Sequence, residues 1–355
     1  MPNDVSNTLF PVFDGHNDTL LKLEIDAIKG QERSFFDRTD KGHIDFERAR
    51  EAHFAGGLFA MFVPSNPDQD FSKAFDPNNP VNFQEVPQDQ ALAFTNRLFE
   101  RAESIAAASS GSVVICKSPD ENLETVNAGK IAVSLHIEGA EAIDTDFRAL
   151  EDFYQRGLRS IGLVWSRANA FGYGVPMSHP ASPDIGPGLT DAGRELVRTC
   201  NKLGILLDVS HLNEKGFWDL AKITDRPIVA SHSNAHAICA SSRNLTDAQL
   251  AAIKESGGLV GVNFHVGFLR PDGGYKKDTS LDVVADHIAY LTDHLGEDHV
   301  GLGSDFDGCM PPKDLHDVTG LPLLFDRLRA RGFSTQSLER LACRNWISML
   351  EQAAA

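Results

Sequence analysis

The sequence is poor in cysteine, and it has no long apolar run. Only five of its 355 residues are cysteine, and none of them forms a Cys-x-x-Cys pair. Scattered single thiols of this kind are typical of a reduced cytoplasmic protein and do not make a disulfide framework. No stretch approaches the roughly 20 apolar residues that a membrane-spanning helix needs. We therefore expect a protein with neither disulfide bonds nor a membrane span.

Positive charge is also scarce, and this excludes a second group of functions. The chain has 33 basic residues against 50 acidic ones, which gives a net charge of −17. Such a chain would be repelled by the phosphates of nucleic acids and by anionic membrane surfaces. Its first residues lack the basic segment and apolar core of a secretory leader. We expect a cytoplasmic protein that binds neither nucleic acid nor a membrane.

Eight short runs rich in Val, Ile and Leu recur along the chain. They cover residues 11–16, 57–63, 131–138, 159–165, 205–211, 227–232, 258–264 and 299–305. Segments with helical periodicity separate most of them, namely 88–107, 190–203, 213–223, 246–256 and 281–295. Thr190 and Thr246 are the expected N-caps of two of these helices. Strand–helix alternation repeated eight times predicts a (β/α)8 TIM-type barrel made by the whole chain, residues 1–355.

Two segments look like long loops, and each follows a predicted strand. Residues 64–87 are rich in Pro, Asn, Asp and Gln, and residues 166–189 are rich in Gly and Pro. Loops that follow the strands of a barrel overhang its C-terminal face, so we expect both to shape a substrate pocket. The last helix, around residues 334–350, is expected to pack outside the barrel.

Side chains that can bind a metal stand at the ends of several predicted strands. His16 and Asp18 close the first strand, Glu138 closes the third, and His211 and His232 close the fifth and sixth. Because residues i and i+2 of a strand face the same way, His16 and Asp18 can hold one cation together. Three imidazoles and two carboxylates suit zinc or a similar divalent metal. A doubly wound open sheet is the alternative fold, but only a closed barrel brings all of these ends to one mouth.

The third strand carries two candidate ligands on one face. Glu138 is the expected bridge, because the two oxygens of a carboxylate can serve two cations. A carboxylate among apolar strand residues would be costly to bury without a cation. His136 lies on the same face and could be a further ligand, although a hydrogen-bonded core histidine is the preferred interpretation. Asp14 alternates with the ligands of the first strand and could orient them.

Two further residues fit a hydrolytic site. Asp305 ends the eighth predicted strand in the sequence Gly-Ser-Asp-Phe-Asp-Gly, where an aspartate can accept a proton from metal-activated water and pass it to a leaving amine. Arg243 follows His232 by eleven residues. A guanidinium above a metal site is suited to binding a carboxylate through two hydrogen bonds, although a surface salt bridge is the preferred interpretation from the residues alone.

Five motifs, taken in order, resemble the membrane (renal) dipeptidase family of zinc peptidases. They are Gly-His-Asn-Asp at 15–18, Ile-Glu-Gly at 137–139, Val-Ser-His at 209–211, Ser-His-Ser-Asn-Ala at 231–235 with Ser-Arg-Asn at 242–244, and Asp-Phe-Asp-Gly at 305–308. The match runs from about residue 13 to about residue 309. It implies a barrel of the amidohydrolase-like, metal-dependent hydrolase superfamily that hydrolyses dipeptides, including those with a D residue at the C-terminus. A homodimer is a further implication.

The resemblance also assigns the metal ligands residue by residue. It implies two zinc ions bridged by Glu138, with hydrolysis by metal-activated hydroxide. One zinc would be held by His16, Asp18 and Glu138. The other would be held by Glu138, His211 and His232. This is the same set of five residues that the strand ends indicate.

The resemblance gives Arg243 the substrate's terminal carboxylate and gives Asp305 the role of general acid and base. It fails at the end of the fourth predicted strand, where better-known dipeptidases have a Thr-His pair whose histidine contacts the scissile carbonyl. Trp165 stands in that place here, and an indole donates a hydrogen bond but carries no charge. Arg167 could supply the charge, so both residues are candidates for substrate binding. A related amide or lactone hydrolase and a non-catalytic accessory protein are the alternative functions.

Overall fold

The centre of the computed structural model, which describes residues 10–65 and 84–355, is a closed ring of parallel strands. The strands are β1 (Val12–Asn17), β2 (Phe54–Phe62), β3 (Val113–Ile115), β4 (Ile131–Glu138), β5 (Leu158–Gly162), β6 (Leu206–Asp208), β7 (Val229–Ala230), β8 (Leu259–Val262) and β9 (Val300–Leu302). Pairing passes from β1 to β2, then to β4, and through β5 to β9 back to β1. The (β/α)8 barrel that the sequence predicts is therefore confirmed.

One strand was not predicted. β3 pairs with residues 131–133 of β4, ahead of the point where β5 joins the same strand, so it is an addition to the ring of eight. Three residues are too few for a recognisable period in the sequence, and β3 supplies none of the predicted ligands.

Helices connect most of the strands around the outside of the ring. They are α1 (Thr19–Ile28), α2 (Phe46–Glu51), α3 (Gln88–Ala108), α4 (Pro119–Asn127), α5 (Arg148–Arg156), α6 (Asp191–Leu203), α7 (Glu214–Ile223), α8 (Asp247–Glu255), α9 (Val266–Leu269), α10 (Leu281–Leu295), α11 (Leu321–Ala330), α12 (Thr335–Glu339) and α13 (Asn345–Ala354). Thr190 accepts a hydrogen bond from the amide of Gly193, and Thr246 forms a reciprocal capping box with Gln249. Both predicted N-caps are confirmed.

Alternate residues of the strands face two different apolar layers. The inner layer joins buried residues from six strands of the ring, and these are Phe13, Ala55, Leu58, Ala132, Leu206, Val229 and Leu259. Their neighbours in the chain belong to a second layer, between the strands and the helices. Burial on both faces explains why the strands are near-continuous apolar runs in the sequence.

The C-terminal helix α13 closes the end of the barrel where the strands begin. Trp346 is fully buried within the inner layer, and its Nε1 donates a hydrogen bond to the carbonyl of Leu302 over 2.8 Å. The indole fills space that Gly15, Gly261 and Gly301 leave open, because a Cβ on any of them would lie within 3.0 Å of it. The expectation that the last helix packs outside the barrel is wrong, since Trp346 enters the interior.

The two loops predicted to overhang the barrel are described to different extents. Residues 166–189 contain no helix or strand and cross the C-terminal ends of β6 and β7, where Val175 donates a backbone hydrogen bond to His211. Most of the loop at 64–87 lies outside the described residues. Across residues 10–65 and 84–355, no helix is long and apolar enough to cross a membrane.

Candidate metal centre and active site

The structure brings all five predicted ligands together where the strands end. His16 lies in β1 and Asp18 directly follows it, Glu138 is the last residue of β4, and His211 and His232 follow β6 and β7. All five are buried, with at most 5% of any residue exposed. A barrel converges its strand ends on one mouth, and this is why residues more than 200 positions apart meet here.

Two of the histidines share one oxygen of Glu138. The Nε2 atoms of His211 and His232 lie 3.0 Å apart and face each other. Oε1 of Glu138 is 2.9 Å from Nε2 of His211 and 3.4 Å from Nε2 of His232. Two imidazole nitrogens and one carboxylate oxygen therefore point at a common centre, which is the donor set that a divalent metal takes.

The third histidine faces the other oxygen of Glu138. Nε2 of His16 is 3.8 Å from Oε2 of Glu138 and 3.4 Å from Oδ2 of Asp18. Both ring nitrogens of His16 are buried without a hydrogen-bond partner among the described residues. Such groups are costly to leave unsatisfied, so this arrangement also fits a cation held by His16, Asp18 and Glu138. Ligand atoms of His16, Glu138 and His232 lie within 4.8 Å of one another, and so do those of His16, Asp18 and Asp305.

The charges of the site call for a positive partner. Burial lowers the pKa of His211 and of His232 well below the ordinary value, so both rings are neutral and can offer a lone pair. Burial raises the pKa of Glu138 well above its usual range. Burial alone would lower the pKa of His16, but the carboxylates of Glu138 and Asp18 outweigh it and raise that pKa to about 10. The carboxylates around His16 therefore favour a positive charge at this point, which a bound cation would supply.

Two serines bind the far nitrogens of the paired imidazoles. Oγ of Ser166 is 2.8 Å from Nδ1 of His211, and Oγ of Ser231 is 2.7 Å from Nδ1 of His232. These contacts leave each Nε2 directed at the common centre, as metal-binding histidines require. The sequence analysis missed both serines. Ser231 adjoins its histidine in the chain, whereas nothing in the sequence connects Ser166 with a residue 45 positions away.

His136, in contrast, is a hydrogen-bonded core histidine, as the sequence analysis preferred. Its Nδ1 lies 2.9 Å from Oγ of Ser160, and its Nε2 lies 3.6 Å from Oδ2 of Asp208. Burial lowers the pKa of His136 to about 3, so the ring is neutral. Asp14, which was predicted to orient the ligands of the first strand, accepts two 2.7 Å hydrogen bonds from Ser304. One comes from the backbone amide and the other from the hydroxyl.

Asp305 lies beside the ligands of the first strand. Its backbone amide donates to the carbonyl of His16 over 2.9 Å, and its Oδ2 accepts a 2.9 Å hydrogen bond from Nδ2 of Asn263. Burial raises the pKa of Asp305 to about 7, which suits a group that gains and loses a proton near neutral pH. Asn263 had no signal in the sequence, because its partner lies 42 residues away.

The turn that carries Asp305 is tightly packed. Asp305 has a φ of 59°, in the left-handed region that non-glycine residues rarely adopt. A Cβ at Gly308 would lie 2.1 Å from Oδ2 of Asp18 and 2.5 Å from Oδ1 of Asp305. A side chain at position 308 would therefore displace one or both of these carboxylates.

Arg243 reaches the site with part of its guanidinium unused. It is 3% exposed, its Nη2 donates to the carbonyl of His232 over 3.3 Å, and its side chain lies over the ring of Phe268. Its Nε is buried without a hydrogen-bond partner among the described residues. Burial lowers the pKa of Arg243 to about 10. A buried cation with a free donor, next to a metal centre, is suited to an anionic group of a substrate.

The structure places Arg167 in a different setting from the one predicted. Its Nε donates to Oε1 of Glu141 over 2.7 Å, Nη2 donates to the carbonyl of Val63 over 2.7 Å, and Nη1 donates to Ser65 over 3.2 Å. Because each nitrogen already binds the protein and the Arg167 side chain is fully buried, this geometry favours a structural ion pair over a substrate contact.

Trp165 lies beside His211, one of the candidate metal ligands. The centroid of the Trp165 ring is 5.9 Å from that of His211 and 4.8 Å from that of Phe62. The Arg167 guanidinium lies over the rings of Phe62 and Trp165. Trp165 is 6% exposed. Aromatic carbon therefore stands next to one of the paired histidines, at the position where better-known members of the resembled family have a histidine.

The chain resembles known peptidases along nearly its whole length. Residues 5–355 match the family described as membrane dipeptidase, peptidase family M19. A crystal structure of a metallo peptidase from Rhodobacter sphaeroides, liganded with a phosphinate mimic of the dipeptide L-Ala-D-Ala, superposes with a TM-score of 0.92 and 43% identity, covering 98% of this chain and 100% of that one.

Two curated relatives extend the comparison. A Klebsiella pneumoniae protein named for its place in the 5′ region of pqqA is 50% identical over 250 residues, which are 70% of this chain and 92% of the relative. A protein of Schizosaccharomyces pombe that is named a dipeptidase is 30% identical over 327 residues, which are 91% of this chain and 76% of the relative. The chain therefore belongs to the membrane dipeptidase family, peptidase family M19, and is a metal-dependent hydrolase of peptide bonds.

Proposed function

We propose that the protein hydrolyses free dipeptides with two zinc ions that Glu138 bridges. The observation that carries this proposal is that the two carboxylate oxygens of Glu138 face different histidines. Oε1 faces His211 and His232, whereas Oε2 faces His16. A single metal would leave one of these groups of buried donors unsatisfied. When bound, a pair of cations polarises the scissile carbonyl and lowers the pKa of the attacking water.

The remaining steps belong to side chains of the chain itself. Arg243 binds the free carboxylate of the substrate, with Nε as a donor that the described protein leaves unused. Asp305 accepts a proton from the attacking water and delivers it to the amine that leaves. The pKa of about 7 that burial gives Asp305 makes both transfers possible near neutral pH.

The substrate class follows from the position of Arg243. Its Nη2 hydrogen-bonds to the carbonyl of His232, so a carboxylate bound there lies within a short distance of the metal ligands. We infer that one residue separates that carboxylate from the scissile bond, which would place the carboxylate of a longer peptide out of reach of Arg243. The L-Ala-D-Ala mimic bound to the Rhodobacter sphaeroides relative supports extending the proposal to dipeptides with a D residue at the C-terminus. The homodimer and the cytoplasmic location stay predictions.

The test is amine release from a panel of substrates by the zinc-loaded protein. The panel contains L,L- and L,D-dipeptides, the matching tripeptides, and N-acyl amino acids that have the carboxylate but no free amine. We expect turnover of dipeptides and none of tripeptides. Turnover of tripeptides at similar rates would refute the carboxylate clamp. Silence on every dipeptide with metal bound would refute the proposed substrate and favour the amide or lactone hydrolase in which Trp165 redirects the activity.

A further inference from the structure

A group of buried polar side chains lies inside the barrel, beneath the candidate metal centre. It comprises His136, Ser160, Asp208 and Ser231, each at most 1% exposed. Polar groups are expensive to bury in the middle of a barrel, so each needs a partner. Of the four, Ser231 contacts a candidate metal ligand directly, through Nδ1 of His232.

Asp208 is anchored by the backbone through one of its two oxygens. Oδ1 accepts hydrogen bonds from the amide of Ser210 over 2.9 Å and from the amide of Ser231 over 2.8 Å. Two amide donors can bind only an acceptor, so the atom at this position must be an oxygen. The other oxygen, Oδ2, accepts the hydroxyl hydrogen of Ser231.

The direction of that second bond decides the state of His232. A serine hydroxyl has one hydrogen, and Ser231 gives it to Asp208. Oγ of Ser231 must then be the acceptor in its 2.7 Å contact with Nδ1 of His232. Nδ1 therefore carries the hydrogen of the neutral ring, and the lone pair is on Nε2, which faces Glu138 and His211.

We propose that Asp208, acting through Ser231, is the positioning residue that holds His232 in the tautomer and orientation needed to bind metal. This inference rests on the proposed function, because it assumes that the centre between His211, His232 and Glu138 holds a cation. His136 does not compete for the role of partner to Asp208, since its nearer nitrogen is 3.6 Å from the carboxylate. Outer carboxylates are known to fix metal-bound histidines directly, and here a serine is inserted between the two.

The substitution Asp208→Asn tests the direction of the hydrogen bonds that run from His232 through Ser231 to Asp208. Asparagine has nearly the same shape as aspartate, so only the donor and acceptor pattern changes. The two backbone amides keep the amide oxygen of asparagine at the Oδ1 position, so its NH2 group occupies the Oδ2 position. Ser231 must then accept from asparagine and donate to Nδ1 of His232. This places the ring hydrogen on Nε2, where it blocks metal binding. Ser231→Ala removes the connection but allows either tautomer, so we expect a smaller loss from it.

The measurement is the number and affinity of bound zinc ions per chain, by competition with a chromophoric chelator. For wild type we expect two ions. For Asp208→Asn we expect the affinity of one ion to fall by about 10–100-fold, and that of the other to stay as in wild type. In the cobalt-loaded protein, the visible absorption of one site should be lost in the same variant. Ser231→Ala should give an intermediate loss.

Ser160→Ala is the matched control, because it deletes a hydroxyl from the same buried group but touches His136 instead of a ligand. It should bind two zinc ions as wild type does, and thermal unfolding of the metal-free variants checks that each one folds. Unchanged zinc affinity in Asp208→Asn overturns the inference, and so does an equal loss in Ser160→Ala. Failure of the proposed function is a separate result, because wild type itself would then bind fewer than two ions.

Discussion

Asn263 holds Asp305 by a hydrogen bond from its Nδ2 to Oδ2 of the carboxylate over 2.9 Å. Oδ1 of Asn263 accepts a 2.6 Å hydrogen bond from the amide of His265, so the asparagine amide has a fixed orientation. Asp305 is thereby presented to the site with one oxygen engaged and Oδ1 left to exchange a proton. This is the arrangement that a general acid and base needs.

Replacing Asp305 with asparagine should therefore remove turnover while leaving the metal in place. We expect the Asp305→Asn variant to bind as much zinc as wild type and to lose about 10²–10⁴-fold in kcat on dipeptides. Asp307→Asn is the matched control in the same turn, because its carboxylate binds the amide of His43 and the hydroxyl of Thr19 instead. Steady-state kinetics with metal analysis decide the matter. Near-normal rates, or loss of metal, in Asp305→Asn would contradict the role.

Arg243→Lys should separate a carboxylate clamp from a general structural role. Lysine keeps the charge but loses the planar fork of donors, so we expect kcat/KM on a dipeptide to fall by about 10–10²-fold. A dipeptide amide, which has no terminal carboxylate, should be a poor substrate of wild type and should lose little more in the variant. Equal losses on both substrates would mean that Arg243 does not bind the carboxylate.

Breaking the ion pair of Arg167 and Glu141 should lower the stability of the protein more than its activity. Arg167→Met leaves Glu141 charged and buried, which should lower the free energy of unfolding by about 3–5 kcal/mol. Adding Glu141→Leu removes the stranded charge, so the double variant should recover most of that stability and hydrolyse dipeptides within a few-fold of wild type. Urea denaturation and kinetics test both parts. A stable double variant without activity would show that Arg167 contacts substrate.

His287 should make stability depend on pH. It is fully buried, donates from Nε2 to the carbonyl of Leu269, and accepts at Nδ1 from the amide of Ala235, so only the neutral ring satisfies both bonds. Burial lowers its pKa to about 4. Between pH 6.5 and 4 the unfolded chain binds a proton here that the folded chain does not, so stability falls as pH falls.

The size of that effect follows from the shift. From pH 6.5 to pH 4, the free energy of unfolding of wild type should drop by about 3 kcal/mol more than that of His287→Gln, both in the metal-free form. Urea denaturation at several pH values measures the difference. Parallel pH profiles for the two proteins would show that His287 keeps an ordinary pKa in the folded state.

The barrel and its candidate metal ligands could be predicted because both depend on short, contiguous stretches of the sequence. Each strand is an apolar run with a polar residue at its end, as in the stretch that finishes at Glu138, and parallel strands of a barrel present such ends at one mouth. The strand bounds were less accurate, since β7 has two residues where the apolar run suggested six.

The supporting residues could not be predicted because their partners are remote in the chain. Asp208 meets Ser231 across 23 positions, and Trp346 enters the barrel only because three distant glycines leave room for it. Arg167 illustrates the same difficulty. Its nearness to Trp165 in the sequence suggested a substrate contact. In the structure its guanidinium forms a buried ion pair with Glu141, which lies 26 positions away.

The most direct test of the central claim is a zinc titration of the metal-free protein, with hydrolysis of L-Ala-D-Ala followed at each step. Because the two carboxylate oxygens of Glu138 face different histidines, we expect activity to rise until two equivalents of zinc are bound and then to stay constant. Full activity at one equivalent, or hydrolysis without any added metal, would contradict the two-metal site.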